Sequence, residues 1–294
     1  MLEGIVNVLK PPGLTSSDVV TDLRRIFDTK RVGHAGTLDP GAAGVLTVCV
    51  GRATRLFDYL VDKKKEYIAE IAFGMATDTQ DSYGKVIAES DRTVSKDDVG
   101  RALEGFHGDV RQSVPIYSAL NQNGVKLYKL ARSGEKIEPK VRDITVYETE
   151  YLANTGENRH LVRIVCSKGT YIRTVCHDIG EAVGGCAYMS FLLRTASGDF
   201  RIENAHSVAE LRLLKEQDRL NEAVVPMDAA LCNMPELRLN GLSERQRTRL
   251  LNGADINCGM DAPCGKMRIY IDGVFEGLGT ADGGKLKMCL MLGE

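Results

Sequence analysis

The residues best suited to chemistry lie in RVGHAGTLDPGAAGVL, residues 31–46, where Gly33, Gly36, Gly41 and Gly44 surround an Asp-Pro pair. Pro40 biases Asp39 toward an extended backbone, and the glycines allow sharp turns and close approach of a ligand. A carboxylate on such a loop, just ahead of the apolar run Val45 to Val50, can face a cleft and act as nucleophile or base. Asp-Pro is also a common turn, so the segment by itself leaves both readings open. His34 by itself reads as a structural hydrogen-bonding residue.

Two further segments carry candidate groups. In CSKGTYIRTVCHDIG, residues 166–180, Lys168-Gly169 separates a strand from a helix, with Thr170 as the expected N-cap. Arg173 then falls in the first turn beside Tyr171, where a cation opposes the helix dipole and calls for an anion. Asp39 could supply it; a different aspartate, or solvent, would serve equally. In KKKEYIAEIAFG, Tyr67 follows three lysines at the start of an alternating strand. A tyrosine so placed can stack on a nucleobase, or simply half-bury as packing.

The elements that must position these groups are legible in part. Residues 5–9 read as a strand stopped by Pro11, Pro12 and Gly13, and Ser16 or Ser17 is expected to cap a helix with Val19, Val20, Leu23, Ile26 and Phe27 on one face. Tyr67, Ala69, Ile71 and Phe73 alternate as in a strand with one drier face. Ser95 with Asp98, Ser207 with Glu210 and Ser243 with Gln246 signal helix starts, and Leu161 to Cys166 reads as a strand. Near residue 232 the texture changes to short β-rich runs separated by Asp272-Gly273 and Asp282-Gly283-Gly284, which are hairpin signals. The irregular mixture indicates an α+β fold. The last segment is too small for a comfortable core of its own and is expected to lean on the rest.

Composition narrows the function classes. The 294 residues are 43% hydrophobic and 27% charged, which excludes wholesale disorder, and the formal net charge is −2. Charge is segregated locally: residues 121–142 carry a net +4 and residues 52–65 a net +3, while 89–109 hold six acids against three bases. No apolar run reaches the ~20 residues of a membrane span, and the first residues do not read as a signal peptide. The eight cysteines form no CxxC, and no histidine pairs with Cys or Glu at a metal-ligand spacing. Most cysteines sit in apolar runs such as VLTVCV and LKMCLML, so a reduced cytoplasmic protein with core cysteines and no disulfide or structural metal is expected.

Taken together, these segments resemble the TruB-type tRNA pseudouridine-55 synthases, over roughly residues 4–231. GIVNVLKPPGLTSSDVV is similar to the family's opening segment, GHAGTLDPGAAGVL to its catalytic-aspartate motif and KKKEYIAEIAFGMATDTQDSYG to its tyrosine strand and loop. YSALNQNGVKLYKLARSGE resembles its RNA-contacting insert and CSKGTYIRTVCHDIGE its Tyr/Arg motif. Two positions depart from the pattern: Asn121 stands where a basic residue is usual, and Leu193 where the family often has the first of two arginines.

The resemblance implies a pseudouridine-synthase mixed sheet with flanking helices in residues 1–231, an RNA-contacting insert at about 105–145 and a PUA-like module at 232–294. It implies Asp39 as the catalytic aspartate, Tyr67 as the ring stacking on the target base and Arg173 as the aspartate's partner. Tyr171 and Leu192 would line the pocket, His34 would hold the opened loop and Lys126 would grip RNA. The expected reaction isomerises uridine 55 in the tRNA T-loop. It is redox-neutral, needs no cofactor and fits the absence of a P-loop or dinucleotide fingerprint. The expected partner is the tRNA T-stem-loop, acted on by a monomer with no obligate protein partner and no membrane. A non-catalytic tRNA-folding protein and a guide-RNA-dependent synthase are the alternatives.

Overall fold

The computed structural model describes residues 2–118, 121–122, 125–126, 140–259 and 264–293. An eleven-stranded mixed sheet dominates it. From edge to edge its main path runs His206–Ser207, Gly4–Lys10, Ala43–Val50, Ala187–Ser197, Lys65–Phe73, Arg159–Cys166, Val141–Gly156 and Gly108–Ser113. Two separate cores cover it. Around Gly4–Lys10 and Ala43–Val50, the helices Ser16–Ile26 and Val208–Glu216 bury Val19, Leu23 and Leu211 against Val6, Val8, Leu46 and Val48. Around Lys65–Phe73 and Arg159–Cys166, the helices Lys96–Glu104 and Ile172–Ala182 bury Val99, Leu103, Val175 and Ile179 against Ala69, Ile71, Val162 and Ile164. This is the α+β arrangement expected.

The central strand, Ala187–Ser197, was not legible in advance. It pairs antiparallel with Lys65–Phe73, but meets Ala43–Val50 in parallel only at Leu193↔Ala43 and Arg194↔Gly44. Register shifts at Met189/Phe191 and Arg194/Ala196 break its alternation, and both its faces are partly buried, so no period of two shows in the sequence. The sixteen-residue strand Val141–Gly156 is hidden for the same reason, with three register shifts against its neighbour. It also pairs antiparallel with Gly108–Ser113, the strand at that edge of the sheet.

Two helix starts differ from expectation. Thr15, not Ser16 or Ser17, caps the first helix in a reciprocal box with Asp18, which frees Ser16 for a buried contact described below. Thr170 does not cap the helix Ile172–Ala182. Its hydroxyl turns back to Ser167 O (3.0 Å), and Tyr171 is the N-cap without a side-chain bond. The boxes at Ser95, Ser207 and Ser243 form as read.

A second, five-stranded sheet of residues 236–291 carries both expected hairpins, Gly265–Ile271 to Val274–Asp282 and Val274–Asp282 to Lys285–Met291. It does lean on the first sheet: Leu278 and Leu292 share a core with Ile5, Cys49, Leu56 and Leu60. Arg268 ties down the connecting segment by donating to Met234 O (3.0 Å) and Asp228 O (3.3 Å), while Tyr270 donates to the Asp228 carboxylate (3.0 Å). All eight cysteines are free thiols, but only Cys49, Cys166 and Cys176 are buried. Cys289 in LKMCLML is exposed, because alternation along the hairpin strand turns Leu286 and Met288 inward instead.

Candidate active site

The cleft lies where the two halves of the large sheet meet. It encloses about 380 Å³, and His34, Asp39, Tyr67, Tyr171, Arg173 and Leu192 all line it. Of the residues singled out in the sequence, Lys126 alone is not placed there: its backbone pairs antiparallel with Asn121, and its side chain lies outside the described residues.

Asp39 and Arg173 reach each other from opposite halves of the sheet. Arg173 Nε stands 2.9 Å from Asp39 Oδ2, with the arginine side chain 5% and the aspartate 40% exposed. The N–H is not aimed along that line, so the contact is an ion pair rather than a straight hydrogen bond. The rest of the guanidinium is occupied by Thr79 O (2.9 Å) and Tyr117 O (3.0 Å), with Asp81 Oδ2 at 3.9 Å. A buried cation fixed on three sides thus holds Asp39, itself part of the cleft lining. Tyr67 sits on Lys65–Phe73, opposite Arg194 on one neighbouring strand and Ile164 on the other. Burial pushes the Tyr67 phenol above its ordinary value, with the Arg194 guanidinium working against that shift. Tyr171 is positioned through its backbone: its N–H donates to Gln112 Oε1 (2.8 Å) and its carbonyl accepts from Gln112 Nε2 (3.0 Å).

Three residues that sequence reasoning missed hold the Asp39 loop. Arg194, 1% exposed, donates from Nε to Val45 O (2.7 Å), from Nη2 to Gly36 O (3.1 Å) and from Nη1 to Thr37 O (3.4 Å). Gly44 lets the loop rejoin the sheet beside it: its φ is +112°, and a Cβ there would stand 2.2 Å from Arg194 O. Lys10, fully buried, donates to Leu14 O (2.6 Å), Pro11 O (2.9 Å) and Pro40 O (3.2 Å). Burial draws its ammonium down to about 8, against the opposing pull of Asp39. Ser16 Oγ both accepts from Leu38 N (2.9 Å) and donates to Leu38 O (3.1 Å). An arginine at the end of SFLLR and a lysine before Pro-Pro gave no signal of burial, since both types are usually exposed.

The expectation that no histidine has a metal-ligand spacing needs correction. His177, Asp178 and Glu181 bring their ligand atoms within 4.8 Å of one another on the helix Ile172–Ala182. A separation of four residues is one helical turn, which the sequence did show. The group is outside the cleft lining and includes an exposed acid, an arrangement common without any ion.

Comparison with known proteins identifies the family. Residues 24–172 match the TruB family pseudouridylate synthase (N terminal domain), and residues 173–232 match the tRNA pseudouridylate synthase B C-terminal domain. The chain belongs to the TruB family of pseudouridylate synthases. It is 46% identical to tRNA pseudouridine synthase B of Pelotomaculum thermopropionicum, over 80% of this chain and 76% of that protein. It is 42% identical to the protein of the same name from Alkaliphilus oremlandii, over 95% and 93%. Among solved structures it resembles a chain of a Cbf5-Nop10-Gar1 complex, with TM-score 0.71 and 27% identity, covering 95% of this chain and 78% of that one. It also resembles a chain of an H/ACA RNP bound to a substrate RNA containing 2'-deoxyuridine, with TM-score 0.70 and 26% identity, covering 99% and 84%. The boundary at 172/173 falls at the start of one helix, and Ala187–Ser197 beyond it is central in the sheet, so the two matched segments share one core.

Proposed function

We propose that the chain converts a uridine of tRNA to pseudouridine, and that this uridine is position 55 in the T-loop. The observation that carries the reading is the meeting of Asp39, Tyr67 and Arg173 in one cleft of a TruB-family chain. The target base is everted from its stack, at a cost of a few kcal/mol. Stacking on the Tyr67 ring returns about 1–3 kcal/mol of it. Asp39 acts on the everted nucleotide, with Arg173 pairing with its carboxylate and orienting it. Three routes suit one carboxylate beside a nucleotide: attack at C1′, attack at C6, or removal of the C2′ proton to give a glycal. In each, the C1′–N1 bond breaks, the base turns, C5 bonds to C1′ and the C5 proton leaves as N1 takes one up; whatever Asp39 took is given back, its bond to C1′ or C6 breaking or the C2′ proton returning. Nothing is oxidised or consumed.

In this reading residues 1–231 form the catalytic part, with the insert around Lys126 contacting RNA, and 232–294 a PUA-like module; the separate second sheet supports that division. His34 holds the opened loop, while Tyr171 and Leu192 shape the pocket. The protein works as a monomer in the cytoplasm without a guide RNA, cofactor or metal. No described helix is long and apolar enough to cross a membrane. The test is the purified chain on a bare T-stem-loop transcript in chelator, with pseudouridine read by chemical mapping. Wild type is expected to modify the RNA, and Asp39→Asn to bind it without modifying it. Full turnover by the variant would sink the mechanism, and a requirement for partner proteins and a guide would sink the stand-alone reading.

A further inference from the structure

One wall of the cleft is a short helix whose two faces do different work. The turn Gly51–Leu56 runs directly into the helix Phe57–Val61. Leu56 and Leu60, one helical turn apart, are buried in the core shared with Leu278 and Leu292. Phe57 and Val61, also one turn apart, face the other way and both line the cleft. Arg55 steadies the same turn by donating to Met291 O of the second sheet.

Phe57 is the unexplained member. The residue is 44% exposed and belongs to none of the hydrophobic cores of the described residues. An apolar ring half in water is ordinary on an open surface. Here it stands at the mouth of a cleft whose inner ring, Tyr67, is buried. Lys168 and Arg142 line the same cleft and can neutralise phosphates. A loop that everts one nucleotide also unstacks its neighbour, which then needs a new π-face.

We infer that Phe57 is a second stacking platform, which takes the base next to the target uridine while Tyr67 takes the target. Phe57 is a binding residue: a phenyl ring has no group to take part in the bond changes, so its contribution is to RNA binding. The inference rests on the reading of the cleft as a uridine-isomerising site.

The experiment measures binding of a T-stem-loop transcript in an Asp39→Asn background, where bound RNA is not turned over. Phe57→Ala is expected to weaken binding about 10-fold, within the range of one lost base–aromatic stack. Phe57→Leu, which keeps apolar bulk but no π-face, is expected to lose nearly as much, while Phe57→Tyr and Phe57→Trp stay within about twofold of the parent. A continuous duplex without a loop is expected to bind Phe57→Ala and parent equally. With Asp39 restored, Phe57→Ala is expected to raise KM and leave kcat within about threefold. Unchanged binding in Phe57→Ala, or full binding by Phe57→Leu, overturns the stacking role. If wild type forms no pseudouridine at all, the site reading itself fails, a result separable from either.

Discussion

Between Gly33 and Ala42 the chain contains little regular structure, yet its backbone is tied down by Lys10, Ser16 and Arg194, from 22 to 158 residues away in sequence. Residues 265–291 are held by the opposite means: two hairpin ladders over a small apolar core, with most partners close in sequence. The loop gets its precision from buried cations bonded to carbonyl oxygens, and the sheet from local pairing and exclusion of water. Position matters to within fractions of an ångström in a reacting site, and a fork of fixed N–H donors sets position more sharply than non-directional apolar contact can.

Mutations can break or sharpen this contrast. The largest effect is expected for Asp39→Asn, which keeps shape and removes the charge: activity falls on the order of 10⁴-fold or more with binding and melting temperature nearly kept. A large stability loss instead would show that the loop's fold depends on the Asp39–Arg173 pair. Arg194→Met is expected to cost about 3–5 kcal/mol, because three carbonyls, of Gly36, Thr37 and Val45, are left without their donor at about 1–3 kcal/mol for each that stays buried. It should also lower kcat under conditions where the variant remains folded, as urea titration and single-turnover assays would show. Leu278→Ala, in the core between the sheets, is expected to cost about 2–4 kcal/mol and, by slackening the channel wall seated on it, to weaken RNA binding, while single-turnover rates at saturating RNA stay near wild type. Equal losses of rate in Arg194→Met and Leu278→Ala would erase the distinction between the two regions.

The smallest effect is a pH dependence. Burial lowers Lys65, like Lys10, to about 8 from 10.5, so from pH 8 to 10.5 the unfolded chain binds more protons than the folded one. Stability therefore rises with pH in that window, and falls again as pH drops through 8. Between pH 8 and 9, wild type should gain about 1 kcal/mol over Lys65→Met in urea unfolding. Parallel slopes would mean that Lys65 carries no such burial penalty.

What the sequence disclosed follows the same division. Caps at Ser95, Ser207 and Ser243 and the two C-terminal turns were legible because each is a local bargain between residues a few positions apart. Asp39, Tyr67 and Arg173 stood out by motif, and one cleft does contain all three. Arg194, Lys10 and Asp81 stayed hidden because their significance lies in partners distant along the chain. The strand Ala187–Ser197 stayed hidden because its bulges spoil the period that would have announced it. Thr15 displaced the expected serine caps because Ser16 was needed at Leu38.

The helix Phe57–Val61 has a bearing on engineering. Its inward leucines are seated on Leu278 and Leu292, so the sheet that performs none of the bond changes is still the foundation of one side of the substrate channel. A chimaera that exchanged this sheet for a foreign RNA-binding fold would have to reproduce those two contacts. Without them, the redesign would slacken the entrance it was meant to retarget.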